Sequence, residues 1–138
     1  MEKIKIIIDT NIWISFLFGG SIREKLKMIL NDDRFELVFS DELMTEISSV
    51  LARPKFQKYI KPIHVQMLIE TILLKATFID VTEEVKVSRD KKDDFLLALC
   101  LDGDADFLTS GDKDLLVLQQ FGKTKILTIS DFYNHFFE

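Results

Sequence analysis

Three acidic side chains occupy positions at which ligand-binding groups of α/β proteins are found. Asp9 directly follows the isoleucine-rich residues 3–8, and Asp112 follows residues 107–110. Both segments have the composition of buried strands, and open α/β sheets bind ligands outside the carboxyl ends of their strands. Glu46 shares a predicted helix with an apolar stripe. Carboxylates that converge from separate elements raise one another's pKa values or require a cation. The hard ions Mg²⁺ and Mn²⁺, which take oxygen ligands, suit such a cluster.

Each of these acids also has a simpler explanation, so only their joint occurrence supports a site. Asp9, or the neighbouring Thr10 or Asn11, could cap the following helix. Glu46 alone is typical of a solvated helix residue, and Asp112 alone is typical of a turn after a glycine.

Strands alternate with helices along the chain, which predicts an open, mostly parallel sheet covered on both faces. Ser21 and Glu24 form a capping-box pattern, Ser40 and Ser130 precede further helices, and proline is expected to end one helix and begin another. The predicted strands cover residues 3–8, 35–39, 77–81, 107–110 and 125–129. The predicted helices cover residues 22–31, 40–53, 62 onward and 93 or 94 to 101, and short helices are expected near Trp13 and Leu115. Residues 82–92 are predicted to form a polar loop.

Composition limits the protein class. The 138 residues are of the size of one domain, 1–138, and 18 Lys and Arg against 23 Asp and Glu give a net charge of −5. No overall positive charge attracts a polyanion. The longest uncharged stretch, residues 10–22, is too short and too polar to cross a bilayer, so we expect no membrane partner. The amino terminus lacks the features of a signal peptide, and the single Cys100 excludes an internal disulfide, which together favour a cytoplasmic protein.

Four segments follow one another between Ile6 and Phe132: IIIDTNIWIS, DELMTEISSVLARPKF, RDKKDDFLLALCL and ADFLTSGDKDLL. In this order they resemble the PIN-domain ribonucleases, in particular the branch formed by toxins of toxin–antitoxin systems. It implies a three-layer α/β/α PIN-like fold with a mostly parallel central sheet. The acids of the family motifs fall on Asp9, Glu46 and Asp112, and Ser110 takes the hydroxyl position two residues before the last acid.

The third acid of the family pattern falls on one of two adjacent residues, Asp93 and Asp94. The pattern places this acid seven residues before a small residue that faces the sheet, and Cys100 lies seven residues after Asp93. Asp93 is therefore preferred. The shorter spacing back from Asp112 in other PIN branches would instead select Asp94, which is kept as a secondary ligand or water-positioning group. Either aspartate alone would also be favoured at a helix amino terminus by the macrodipole.

The resemblance implies a metal-dependent endoribonuclease that hydrolyses single-stranded RNA with one or two Mg²⁺ or Mn²⁺ ions. Its implied partners are RNA, a protein antitoxin and further copies of the chain in a homodimer or higher homo-oligomer. Asn11 and Ser110 would position ligands or substrate. Basic side chains flanking the acids would guide the RNA backbone, although such residues are commonly only solvated: Arg53, Lys55, Lys58, Arg89, Lys91 and Lys92.

Two other functions are compatible with the sequence. A non-catalytic RNA- or partner-binding domain could share the fold, since fold does not determine function, but presence of all the acids argues against it. A Mg²⁺-dependent phosphatase is a further alternative, but the paired amino-terminal acids typical of such enzymes are missing, because Asp9 is followed by Thr10, Asn11 and Ile12.

Overall fold

A computed structural model describes residues 2–85 and 93–138, which form a six-stranded sheet and eight helices. The strands are β1 (Ile4–Ile8), β2 (Phe35–Phe39), β3 (Thr77–Phe78), β4 (Phe107–Thr109), β5 (Gln120–Phe121) and β6 (Thr124–Leu127). The helices are α1 (Thr10–Phe18), α2 (Ser21–Leu30), α3 (Asp41–Leu51), α4 (Pro54–Gln57), α5 (Pro62–Lys75), α6 (Asp94–Asp102), α7 (Lys113–Leu116) and α8 (Ile129–Phe137).

The sheet order is β3-β2-β1-β4-β6-β5, and all neighbouring strands are parallel except the short β5, which pairs antiparallel with β6. The chain builds outward from β1 through β2 to β3 and then crosses to β4 on the other side of β1. The strand order therefore reverses between β1 and β4, which confirms the mostly parallel sheet and identifies its switch point.

Consecutive apolar residues in the central strands are buried, so both faces of the sheet are covered. Ile6, Ile7 and Ile8 are all at most 1% exposed. Such a run without polar alternation is typical of a parallel sheet that lies between two helical layers. The indole of the fully buried Trp13 donates a hydrogen bond to the carbonyl of Ile8 and so holds α1 against the end of β1. The three-layer α/β/α architecture is confirmed.

Two predicted helix caps are wrong, each because an element begins earlier than the sequence indicated. Gly20, at a φ of 79°, is the cap of α2, so Ser21 is already helical and its hydroxyl instead accepts from Lys25. The strand β6 ends at Leu127, two residues before the predicted bound, and Thr128 caps α8 by accepting a hydrogen bond from the backbone of Asp131. The Ser40 cap of α3 is confirmed through its bond from Leu43 N.

The remaining strand predictions differ from the structure mainly at their ends. The third strand is limited to Thr77–Phe78 rather than residues 77–81, and the sequence analysis missed β5. The predicted loop over residues 82–92 has no regular structure over 82–85, and its remainder lies outside the described residues. None of the helices in the described ranges is long and apolar enough to cross a membrane.

Candidate active site

Asp9 lies at the carboxyl end of β1 and is 5% exposed. Its backbone N–H still donates to Thr109 of β4, so the residue is held by the sheet itself. Its Oδ1 accepts from the backbone N–H of Thr10 at 2.7 Å, and its Oδ2 accepts from the Ser110 hydroxyl at 2.7 Å. Asp9 thus caps α1, as one of the simpler explanations predicted, and at the same time points its carboxylate toward the end of β4.

The hydroxyl of Ser110 joins the two strand ends. Ser110 is fully buried, and its backbone N–H donates to Leu127 of β6. While its hydroxyl donates to Asp9, its oxygen accepts from the backbone N–H of Asp112 at 3.0 Å. Asp112 caps α7 through its own Oδ1, which accepts from Asp114 N at 2.9 Å. Asp9 and Asp112 are therefore neighbours at adjacent strand ends, bridged by one serine.

Glu46 reaches the same edge of the sheet from α3. The helix buries Leu43, Ile47 and Val50 and leaves Glu46 half-buried. Its Oε2 accepts a hydrogen bond from the Thr10 hydroxyl at 2.5 Å. Because Thr10 directly follows Asp9, this bond brings the carboxylate of Glu46 next to the first acid.

Burial and the neighbouring acids raise the pKa of Asp9. Burial raises the pKa of Asp9 above its ordinary value of 3.8, and the charges of Glu46 and Asp112 raise it further. The hydrogen bonds from Ser110 and Thr10 act in the opposite direction. Burial and the neighbouring charges together outweigh these hydrogen bonds, so the pKa of Asp9 is raised on balance.

The two adjacent aspartates stand at the amino terminus of α6. Asp93 is the cap residue and is 8% exposed, whereas Asp94 is the first helical residue and is half-buried. Cys100, seven residues after Asp93, is also buried. The preference for Asp93 over Asp94 stays a prediction.

A groove runs along α3 beside Glu46, with a volume of about 510 Å³. Phe95 of α6 and Arg53 line it together with Glu46 and other residues of α3. Of the proposed RNA-guiding residues, Arg53 therefore shares a surface with Glu46. Lys55 instead places its ammonium group over the ring of Phe56 at 5.0 Å.

The other positioning and guiding candidates are less closely associated with the acids. Asn11 is exposed in the first turn of α1, and Lys58 is exposed at the end of α4. Arg89, Lys91 and Lys92 lie outside the described residues.

The donor chemistry of this edge fits a hard divalent ion. The side chains offer carboxylate and hydroxyl oxygens, the ligands that Mg²⁺ and Mn²⁺ prefer. A cation would also relieve the crowding that raises the pKa of Asp9. Within residues 2–85 and 93–138, however, no three His, Cys, Asp or Glu side chains are arranged to hold a metal. Instead one carboxylate oxygen of Asp9 accepts a hydrogen bond from the Ser110 hydroxyl, and one of Glu46 accepts a hydrogen bond from the Thr10 hydroxyl.

The role of the Thr10 hydroxyl is not predicted by the sequence. Its position beside Asp9 indicates only a possible helix cap, yet it donates a hydrogen bond to an acid 36 residues away. The only signal in the sequence was its position between Asp9 and Asn11, which does not identify a partner on another helix.

Comparison with known proteins identifies the family of the chain. The PIN-domain family profile matches residues 5–114, a range that contains all five candidate acids. The chain therefore belongs to the PIN-domain family.

One relative and one solved structure extend this finding. The chain is 27% identical over 123 residues to the uncharacterized protein MJ1680 of Methanocaldococcus jannaschii. The aligned residues cover 88% of this chain and 79% of that protein. The fold of the present chain is similar to that of a chain in the crystal structure of VapBC2 from Rickettsia felis bound to a DNA fragment from their promoter. The TM-score is 0.58 at 11% identity, over 89% of this chain and 97% of the other.

Proposed function

We propose that this protein is a Mg²⁺- or Mn²⁺-dependent endoribonuclease that cleaves single-stranded RNA. The observation that carries the proposal is the buried Asp9, whose pKa is raised by burial and by its acidic neighbours Glu46 and Asp112 at the switch point of the sheet. A carboxylate with a shifted pKa, placed beside acids from other elements, is typical of functional sites. Membership in the PIN-domain family supports nuclease chemistry.

In this proposal Asp9, Glu46, Asp112 and the Asp93–Asp94 pair hold one or two ions. A bound ion would lower the pKa of a water molecule and stabilise charge on the phosphate. Ser110 fixes the Asp9 carboxylate relative to the backbone of Asp112, so the two strand-end acids keep one geometry. Arg53 would contact a phosphate of the flanking RNA along the α3 groove.

We further propose that the protein is the toxin of a toxin–antitoxin pair. Two observations support this role: the four motif segments resemble toxin components, and the fold is similar to a chain of VapBC2. A protein antitoxin that occupies the cleft would silence the nuclease, and the chain would act as a homodimer or higher homo-oligomer. As the toxin of such a pair, the protein would act on RNA in the cytoplasm.

A single assay tests the nuclease. Labelled single-stranded RNA is incubated with wild type and with Asp9→Asn in Mg²⁺, Mn²⁺ or EDTA, beside p-nitrophenyl phosphate. We expect RNA cleavage that requires the metal and is lost in the variant. Metal-independent RNA binding without cleavage would instead indicate a binding domain, and hydrolysis of p-nitrophenyl phosphate alone would indicate a phosphatase.

A further inference from the structure

Thr10 donates hydrogen bonds to both Asp9 and Glu46. Its backbone N–H donates to Asp9 Oδ1 at 2.7 Å, and its hydroxyl donates to Glu46 Oε2 at 2.5 Å. Thr10 is itself 5% exposed, so its backbone bond to Asp9 is buried, while its hydroxyl bond to the half-buried Glu46 is partly buried. One buried residue thus sets the relative position of two acids that come from different elements.

The bond to Thr10 restricts a side chain that would otherwise be mobile. Glu46 is half-buried on the surface of α3, and a glutamate loses considerable rotamer freedom when it is held in one conformation. The hydroxyl of Thr10 occupies one carboxylate oxygen, and nothing in the described ranges donates a hydrogen bond to the other, Oε1. Glu46 is therefore oriented with Oε1 available for a further ligand.

We propose that Thr10 is a positioning residue that orients Glu46 for metal binding beside Asp9. The inference rests on the proposed metal-dependent function and adds a residue that acts without touching the ion. Removal of a residue that hydrogen-bonds to a metal ligand typically lowers metal affinity or activity by about 10- to 100-fold.

Three substitutions separate orientation from packing. Thr10→Val removes the hydroxyl but keeps the branched shape and the backbone N–H that binds Asp9. Thr10→Ser keeps the hydroxyl and loses only a methyl group. Thr124→Val is the matched control, because Thr124 is equally buried and its hydroxyl donates to Ala105 O at 2.7 Å, at the amino end of β6.

Mn²⁺ is titrated into each full-length variant, with the thermal shift and the RNA cleavage rate as readouts. For Thr10→Val we expect the Mn²⁺ concentration at half-maximal response to rise by about 10-fold. Thr10→Ser should stay within about threefold of wild type, the difference expected when the outer-shell hydrogen bond is kept. Thr124→Val should be unchanged in Mn²⁺ dependence even if it melts earlier.

A metal-free measurement keeps the two proposals separable. The unfolding midpoints of Thr10→Val, Glu46→Ala and the double variant should be non-additive if the two side chains interact in solution. Additive effects would overturn the positioning role regardless of activity. An active wild type whose Thr10→Val variant needs no more Mn²⁺ would overturn it as well, as would equal impairment of Thr10→Val and Thr10→Ser. A wild type that neither cleaves RNA nor responds to Mn²⁺, in spite of non-additive midpoints, would overturn the proposed function and leave the Thr10–Glu46 contact as a structural one.

Discussion

Acidic residues lie at both ends of the central sheet, but their surroundings differ. At the amino end, Asp106 Oδ2 accepts a hydrogen bond from the backbone of Lys5, and its other oxygen lies 3.4 Å from the Lys123 ammonium. Lys123 also pairs with Asp104 at 3.0 Å. At the carboxyl end, no ion pair with Lys or Arg involves Asp9, Glu46 or Asp112 in the part of the chain that the structure describes.

This difference separates structural acids from candidate functional ones. The charge of a surface aspartate that is paired with a lysine is balanced locally, and such an ion pair contributes little to stability. Within the described residues, the donors to Asp9, Glu46 and Asp112 are hydroxyl and backbone groups, and burial together with the charges of Glu46 and Asp112 raises the pKa of Asp9. The motif-rich stretch after residue 93 therefore contains acids of both kinds, and position relative to the sheet distinguishes them.

The largest expected effect is on catalysis. Asp112→Asn should lower the RNA cleavage rate by at least about 100-fold, because a direct ligand matters more than the outer-shell partners of a metal site. Asp106→Asn, the matched change at the amino end of β4, should leave the rate within about twofold, since surface ion pairs contribute little. Equal losses in both variants would show that the two ends of the sheet do not differ in function.

A second test decides whether Asp93 or Asp94 is the third acid of the pattern. If Asp93 is the ligand, Asp93→Asn should abolish metal-dependent cleavage, whereas Asp94→Asn should keep substantial activity. The physical reason is register, because residues seven apart in a helix share a face, and Asp93, the cap residue of α6, is buried as Cys100 is. Initial rates at saturating Mn²⁺ decide the order, and the reverse ranking would assign the site to Asp94.

A third test concerns stability without metal. The raised pKa of Asp9 means that its protonated form stabilises the fold fully below pH 3.8 and that this stabilisation is lost as the pH rises through the folded-state pKa. Asp9→Asn should therefore raise the melting temperature in EDTA at pH 7 by about 3 °C, the shift that about 1 kcal/mol produces in a domain of this size. The gain should vanish below pH 3.8.

The control for this thermal experiment is again at the amino end. Asp106→Asn removes a charge that Lys123 compensates, so it should not raise the melting temperature. Addition of Mn²⁺ should stabilise wild type more than Asp9→Asn, because an ion that binds only the folded state stabilises in proportion to its affinity. An Asp9→Asn protein that is no more stable in EDTA, yet is equally stabilised by Mn²⁺, would rule out a carboxylate metal site.

The smallest expected effect lies in the groove along α3. Arg53→Ala should raise the KM for single-stranded RNA by about threefold and reduce the slope of log affinity against log salt by about 0.7, the value for one phosphate contact. Lys55→Ala is the control, since Lys55 is close in sequence but does not line the groove. Steady-state kinetics over a range of salt concentrations provide the measurement, and equal effects of the two substitutions would contradict a specific role of Arg53.

Much of the architecture was determined by local sequence. Three consecutive isoleucines predicted a strand that is buried on both faces. Ser40 and Pro62 predicted the starts of two helices, and they are the cap of α3 and the first residue of α5. These features depend on neighbouring residues, whose spacing and conformational preferences are visible in the chain itself. The strand-end positions of Asp9 and Asp112 followed for the same reason, and the order of the motifs indicated the PIN-domain family.

Only the tertiary structure decided how the acids are supported. The bond from Ser110 to Asp9 spans 101 residues and the bond from Thr10 to Glu46 spans 36, so neither partner can be recognised from local spacing. The same applies to Lys123, which compensates Asp104 and Asp106 but none of the acids at the opposite end of the sheet. The sequence contains the charges, but whether each carboxylate meets a lysine, a hydroxyl or another carboxylate depends on which strand ends the fold brings together.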